Sequence, residues 1–402
     1  MGAIPTEGMA PIHSVLPKSF KLGYNLSIMK ILITTGIYPP SIGGPATYSR
    51  LLNEELPHYG IKTSVLSFDA VRHLPPVFRH FLFFLKVLWR GSKVDVIYAQ
   101  DLVSVGFPTA CANLLLRKKF IVKMVGDHVW EQGVQRFGIK ESLDEFSRSN
   151  QKQHFYLRFL KSLRNWVSQR ALIIIVPSNY LKKIVFNWGV AQDKIKVIYN
   201  AFEGIEVPSE SYDEIRSSFG FHGPIIISVG RLVPWKGFRV LIDVVNEISK
   251  DIKDIKLLIV GDGPDREMLQ KKIDDENLVD TVALTGKMSQ KELFRYIKAS
   301  NVFVLNTQYE GFSHQLLEVM ALGVPIVTTS VGGNAELIES GLNGIMVSYN
   351  DKKSLSLAIL TLIKIKEEGK TLVLEAQKTL LSFTKEKMLT EFIQELNKIC
   401  PN

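Results

Sequence analysis

Cysteine is nearly absent from this 402-residue sequence: Cys111 and Cys400 stand alone, in no metal-ligand spacing. That scarcity excludes a disulfide framework and makes a reducing, cytoplasmic setting the expectation. Long apolar runs are missing too. The nearest, Phe81–Trp89, falls well short of the roughly 18 to 20 residues that cross a bilayer, and it contains Lys86. Residues 1–28 hold no apolar core of signal-peptide type, and Met29-Lys30-Ile31-Leu32-Ile33 reads as a natural beginning, so the stretch before it is expected to be a flexible extension. No Gly-x-Gly-x-x-Gly fingerprint occurs, which counts against a nicotinamide or flavin enzyme. No Asp-x-Asp element or His/Cys cluster offers a metal site, so neither metal nor cofactor is expected.

With 46% hydrophobic and 22% charged residues, the chain has the balance of a folded protein, and its length suits two domains. Charge is unevenly spread: residues 29–200 carry a net +13 and residues 201–402 a net −5, so the first half is expected to meet something anionic.

Two series of short, β-branched apolar runs alternate with helix-length segments. The first comprises Lys30–Thr35, Lys62–Phe68, Val94–Ala99, Phe120–Val125 and Leu172–Pro177. The second comprises Ile225–Val229, Lys256–Val260, Thr281–Leu284, Val302–Asn306 and Pro325–Thr329. Runs apolar on both faces and separated by helices predict two open parallel sheets, each Rossmann-like and doubly wound. The first domain is expected over 29–200 and the second over 201–382, joined through Tyr199–Ser211, where Asn200, Gly204 and Pro208 interrupt the pattern. The chain reads as helical after Tyr349. Its last segment, 383–400, carries an apolar stripe of Met388, Phe392, Ile393 and Leu396 that suits packing back on the first domain.

Three loops carry the chemistry. After the first strand, Gly43-Gly44-Pro45 permits close backbone approach and starts a helix whose free N–H groups favour an anion. Alone, it is equally a tight turn with no ligand. After Ile225–Val229 come Arg231 and Lys236, two cations at the carboxyl end of a strand, where open α/β sheets bind ligands. They suit a diphosphate of about two negative charges. After Val302–Asn306, Glu310 precedes the helix start Phe312-Ser313-His314-Gln315, and Glu318 follows one turn in. The backbone N–H groups there can meet phosphate and sugar oxygens, and the carboxylates can meet sugar and ribose hydroxyls.

Glu310 and Glu318 resemble the Glu-x7-Glu element of the family 4 retaining glycosyltransferases of the GT-B fold. In the family's order, Arg231 with Lys236-Gly237, the Gly43-Gly44 loop, Asn200 after a short strand at Lys196–Tyr199, and the Gly261-Asp262-Gly263-Pro264 turn match as well. The resemblance runs from about Lys30 to the C-terminus. It implies two Rossmann-like domains facing across a cleft and transfer of a hexosyl group from a UDP- or GDP-sugar. By the same resemblance, Arg231 and Lys236 would grip the donor diphosphate, Glu318 the ribose and Glu310 the transferred sugar. Lys287 and Met288 lie where the family's base-binding loop falls. Val125-Gly126-Asp127-His128-Val129-Trp130-Glu131 resembles the family's catalytic loop, with Asp127 expected to meet the sugar and His128 as the alternate. The family's metal-independent habit would leave charge neutralisation to the Arg–Lys pair. A nucleotide-sugar epimerase or hydrolase of the same fold, or a non-catalytic sugar-nucleotide-binding subunit, are the other readings.

Neither Val77–Arg90 nor Gln151–Arg170 contains an acidic residue. A helical wheel aligns Arg79, Lys86 and Arg90 in the first segment and Arg158, Lys161 and Arg164 in the second. Such basic amphipathic surfaces attract anionic headgroups, so a peripheral position on the cytoplasmic face of a membrane and a lipid-linked or glycan acceptor in cell-envelope polysaccharide synthesis are expected. No helix-turn-helix, zinc module or stacking sheet accompanies the charge, so nucleic acid is not an expected partner.

Overall fold

A computed structural model of the chain describes residues 29–41, 43–149 and 154–401; the expected extension over 1–28 lies outside them. The first sheet comprises β1 (Lys30–Thr35), β2 (Lys62–Ser67), β3 (Val96–Ala99), β4 (Lys119–Lys123), β5 (Ile173–Val176) and β6 (Ile195–Val197). The second comprises β7 (Ile225–Val229), β8 (Lys256–Val260), β9 (Val282–Gly286), β10 (Val302–Leu305), β11 (Ile326–Thr329) and β12 (Ile345–Val347). Both are wholly parallel, in the orders β2-β1-β3-β4-β5-β6 and β12-β11-β10-β7-β8-β9. Each order reverses direction once, between β1 and β3 and between β7 and β10. At those points neighbouring loops diverge and open a crevice at the carboxyl ends of the strands.

Helices cover both faces. Those of the first half are α1 (Gly44–Glu55), α2 (Pro76–Gly91), α3 (Gly106–Leu116), α4 (His128–Phe137), α5 (Leu143–Arg148), α6 (Phe155–Arg170) and α7 (Asn179–Asn187). The second half has α8 (Tyr212–Phe219), α9 (Phe238–Ile248), α10 (Arg266–Asp275), α11 (Gln290–Lys298), α12 (His314–Leu322), α13 (Lys352–Lys364), α14 (Lys366–Leu380) and α15 (Lys385–Ile399). Runs such as Ile173-Ile174-Ile175-Val176 are buried throughout, because both faces of the strand lie under helices. β12 was not legible in the sequence: three residues after a glycine turn carry too little pattern, and pairing with β11 is what extends them.

The last helix closes the first core. Met388, Leu389, Phe392 and Leu396 of α15 are buried against Ile31, Ile33 and Tyr98, with the Phe392 and Tyr98 rings 5.1 Å apart. Lys385 anchors its start to Glu55 at 2.6 Å. The chain thus crosses between the halves twice, and the crossings touch, the Phe202 N–H donating to the Phe383 carbonyl at 2.8 Å. The halves also meet directly: Glu336 accepts the N–H groups of Asn179 at 2.9 Å and Tyr180 at 2.8 Å at the start of α7. No helix among the described residues is long and apolar enough to cross a membrane.

Two surface expectations are corrected. On α2 the basic residues lie beside the buried Phe83, with Arg90 donating to the Val65 carbonyl at 2.7 Å, while Val77, Phe78, Phe81, Leu82, Leu85 and Trp89 face outward. The outward face is apolar rather than basic. On α6, Arg164 is buried instead of lying on a surface strip, because it pairs with Asp127.

Candidate active site

The second sheet's crevice gathers the charged residues. β7 leads through Gly230-Arg231 into a short 3₁₀ turn, Pro234–Lys236, and Gly237, with φ +57°, swings the chain into α9. β10 leads through Asn306–Ser313 into α12, whose start Ser313 caps by accepting the Leu316 N–H. The two loops brace each other. Asn306 Nδ2 donates to the Gly237 carbonyl at 3.0 Å, and the Gln308 N–H and Thr307 hydroxyl both donate to the Trp235 carbonyl, at 2.8 and 3.2 Å. This bracing sets Lys236 Nζ 2.5 Å from Glu310 Oε2, with only 12% and 22% of the two side chains exposed. Arg231 stands exposed beside them and forms no ion pair among the described residues.

The first half supplies the facing wall. A cavity of about 290 Å³ lies between Gly44, Tyr48, Gln100 and Lys123 on one side and Arg231, Lys236, Glu310 and Phe312–Gln315 on the other. Gly43, with φ +152°, turns the chain into α1 without a side-chain cap. Gly44 lies next to His314 across the cleft, so the two helix starts face each other. Burial, with Lys123 nearby, lowers the His314 pKa to about 4, so its ring is neutral near pH 7.

Glu318 sits half-buried on α12, near Gln290 at the start of α11, and burial raises its pKa to about 7. Lys287 and Met288 follow β9 at the same edge of the sheet, outside the cavity itself.

Asp127 and His128 lie in different surroundings. Asp127 is 1% exposed; its Oδ1 caps α4 by accepting the Val129 N–H at 2.9 Å, and its Oδ2 accepts from Arg164 at 2.5 Å. With both oxygens engaged inside the core, it cannot meet a sugar in the cleft. His128, the next residue, is exposed and close enough to Arg231 for their charges to interact. Two residues lining the cavity, Lys123 and Gln100, were not singled out for chemistry from the sequence, nor was Glu131, close enough to feel Arg231, Lys236 and Glu310. Glu131 sits one turn into α4, and burial, reinforced by Asp127, raises its pKa to about 7. Its place at the end of the segment that resembles the family's catalytic loop was the signal for it.

Two family models divide the chain between them. Residues 42–203 match Glycosyltransferase Family 4, and residues 211–379 match Glycosyl transferases group 1. The chain belongs to the family 4 glycosyltransferases of the GT-B fold.

The glycosyltransferase is 26% identical over 362 residues to an uncharacterized glycosyltransferase of Methanocaldococcus jannaschii, covering 86% of this chain and 91% of that one. Over a shorter stretch of 135 residues it is 36% identical to the alpha-D-kanosaminyltransferase of Streptomyces kanamyceticus, covering 33% of this chain and 35% of that enzyme. Among solved structures, Anabaena HepE in complex with UDP and glucose superposes with a TM-score of 0.72 at 19% identity, over 93% of this chain and 100% of that one. The sucrose-phosphate synthase of Thermosynechococcus elongatus gives a TM-score of 0.74 at 18% identity, over 92% and 99% of the two chains. At such identities these structures share the fold.

Proposed function

We propose that the glycosyltransferase moves a hexosyl group, with retention, from a UDP- or GDP-sugar to a glycan or lipid-linked acceptor in cell-envelope polysaccharide or glycolipid synthesis. The convergence of Arg231, Lys236 and Glu310 at the crevice of the second sheet carries this reading, because two cations and a carboxylate there suit a diphosphate and the sugar it bears. HepE, with the same fold, has been crystallised with UDP-glucose, which supports the donor class.

In this reading the acceptor hydroxyl attacks the anomeric carbon on the face the diphosphate leaves. The bond from that carbon to the phosphate oxygen breaks as the new glycosidic bond forms, and the phosphate takes the hydroxyl proton. Arg231 and Lys236 stabilise the charge gathering on the leaving group in place of a metal. Glu310 orients the sugar, Glu318 holds the ribose, Lys287 and Met288 flank the base, and the backbone at Gly43, Gly44 and Phe312–Gln315 faces the phosphates. His128 meets the sugar from the first half. No protein nucleophile is required.

The outward apolar face of α2 supports a membrane-bound acceptor. Phe78, Phe81 and Trp89 are 67%, 59% and 64% exposed, and Lys93 stands over the Trp89 ring at 4.5 Å, the arrangement of a helix lying in a headgroup layer. We place that face on the cytoplasmic membrane surface.

A panel of UDP-, GDP- and ADP-sugars screened by thermal shift identifies the donor. Product analysis with and without acceptor then decides the reaction. A new glycoside of unchanged anomeric configuration is expected. Turnover of the nucleotide sugar alone would instead favour an epimerase or hydrolase, and binding without any turnover a silent subunit.

A further inference from the structure

The first-half wall of the cleft contains a buried basic group that the reaction above does not use. Along β4, Phe120 and Val122 point into the core beneath α2 and α3, while Ile121 points the other way, toward α1 and α15. Lys123 shares the parity of Ile121 and ends beneath α1, 1% exposed. Its Nζ lies 2.7 Å from Asn200 Oδ1 and 3.0 Å from the centre of the Tyr48 ring. It forms no ion pair among the described residues. Tyr48 cannot serve as a counter-charge: its hydroxyl lies 3.2 Å from that of Tyr98, and burial raises the pKa of both, so both stay neutral.

A buried ammonium with only an amide oxygen and a ring face for company is expensive, of the order of several kcal/mol, and an apolar side chain would fill the space more stably. Burial accordingly drives the Lys123 pKa well below the ordinary lysine value. Beside it, Gln100 is 3% exposed, lines the same cavity, and has a side-chain amide nitrogen whose neighbour is the Tyr98 hydroxyl, without a well-formed hydrogen bond to it. The α1 start opens onto this wall without a side-chain cap or an acidic residue in its first turn. Hydrogen-bond donors therefore outnumber acceptors here, and the carboxylate of Glu310 across the cavity is already engaged by Lys236. With that pair cancelled, Arg231 and a Lys123 protonated on anion binding would bring two positive charges to the cleft, against the roughly two negative charges of a nucleoside diphosphate group.

We infer that Lys123 and Gln100 form an anion subsite on the first-half wall, which takes a negatively charged oxygen of the bound donor, either on the diphosphate or on a carboxylate carried by the transferred sugar. The inference rests on the nucleotide-sugar reading and adds the charge of the group that the first half recognises. Anion binding would also restore the ammonium, since a nearby negative charge favours the charged form.

Calorimetry on the full chain distinguishes the two sources. UDP, UDP-glucose and UDP-glucuronate, and the guanine counterparts, are titrated into the wild type, Lys123→Met and Gln100→Leu. Lys123→Met removes a buried amine that has no ionic partner among the described residues and keeps the side chain's length, so thermal unfolding without ligand should be unchanged or higher, which separates binding from folding. The expected result is a Kd raised about tenfold or more by Lys123→Met, as befits a lost charged hydrogen bond, with a smaller rise in Gln100→Leu. An equal loss for all ligands assigns the subsite to the diphosphate, and a loss confined to the uronosyl ester assigns it to the sugar carboxylate. Kd values within twofold of wild type for every ligand would overturn the subsite alone. A wild type that binds none of them would overturn the nucleotide-sugar reading and the subsite with it.

Discussion

Replacing Lys236 with alanine removes an ammonium that sits 2.5 Å from Glu310 Oε2 and is 12% exposed. Two effects follow. The leaving diphosphate loses a charged hydrogen bond, about 1.5–3 kcal/mol of transition-state stabilisation, which corresponds to a fall in kcat/KM of about 13- to 160-fold. The change also strands the Glu310 carboxylate, 22% exposed, facing the incoming phosphates, so nucleotide affinity should drop beyond the loss of the contact itself. Adding Glu310→Gln to Lys236→Ala should therefore recover part of the affinity for UDP or GDP, measured by calorimetry, without recovering turnover, because Glu310 is also assigned to the sugar. A single mutant whose kcat/KM and Kd stay within twofold of wild type would refute the role of Lys236. A double mutant that binds nucleotide no better than the single one would show that Glu310 does not face the diphosphate.

Other residues give separate tests. Asp127→Ala leaves Arg164 charged and unpaired in the core, so it should cost about 3–5 kcal/mol in urea unfolding. His128→Ala should leave unfolding within about 0.5 kcal/mol of wild type yet lower turnover. A stable, inactive Asp127→Ala beside a fully active His128→Ala would return the role to Asp127. Glu318 has a folded pKa of about 7, above the ordinary carboxyl value, so the unliganded protein should lose stability as pH rises through that window. Glu318→Gln should flatten melting temperature against pH over that interval, and an unchanged pH slope would refute the assignment. Flotation with vesicles tests α2: because its outward face is apolar, binding to anionic vesicles should survive high salt in part, and Phe78→Ser with Phe81→Ser and Trp89→Ser should abolish it. No vesicle binding by the wild type at either salt would remove the membrane from the account.

Sequence and structure agree wherever periodicity and turn chemistry suffice. The β-branched runs located ten of the twelve strands, and β6, three residues long, was visible only as the short stretch before Asn200. Glycines and charges at strand ends located the second-half loops, because an open parallel sheet places its crevice there whatever its partners. Polarity within a helix was less informative. Arg164 and the basic residues of α2 looked solvent-facing because charge usually is, but the direction of a helix face depends on what packs behind it. Asp127 and His128 differ by one position at a helix start, and only the cap geometry shows which of them turns inward. Lys123 was hidden for a related reason: one lysine inside the apolar run Phe120–Val125 carries no pattern of its own, and only the structure shows that it lies buried at the end of β4, beneath a helix.

The position of α15 bears on how this polypeptide matures. Its apolar stripe completes the core of a sheet whose first strand begins more than three hundred residues earlier. On the ribosome, that sheet must wait with one flank uncovered until the final helix has emerged, while the second sheet lies wholly between the two crossings and can assemble sooner. Synthesis order and folding order are therefore expected to be reversed. The interval in which Ile31, Ile33 and Tyr98 lack their cover is when a nascent chain of this kind most needs a chaperone.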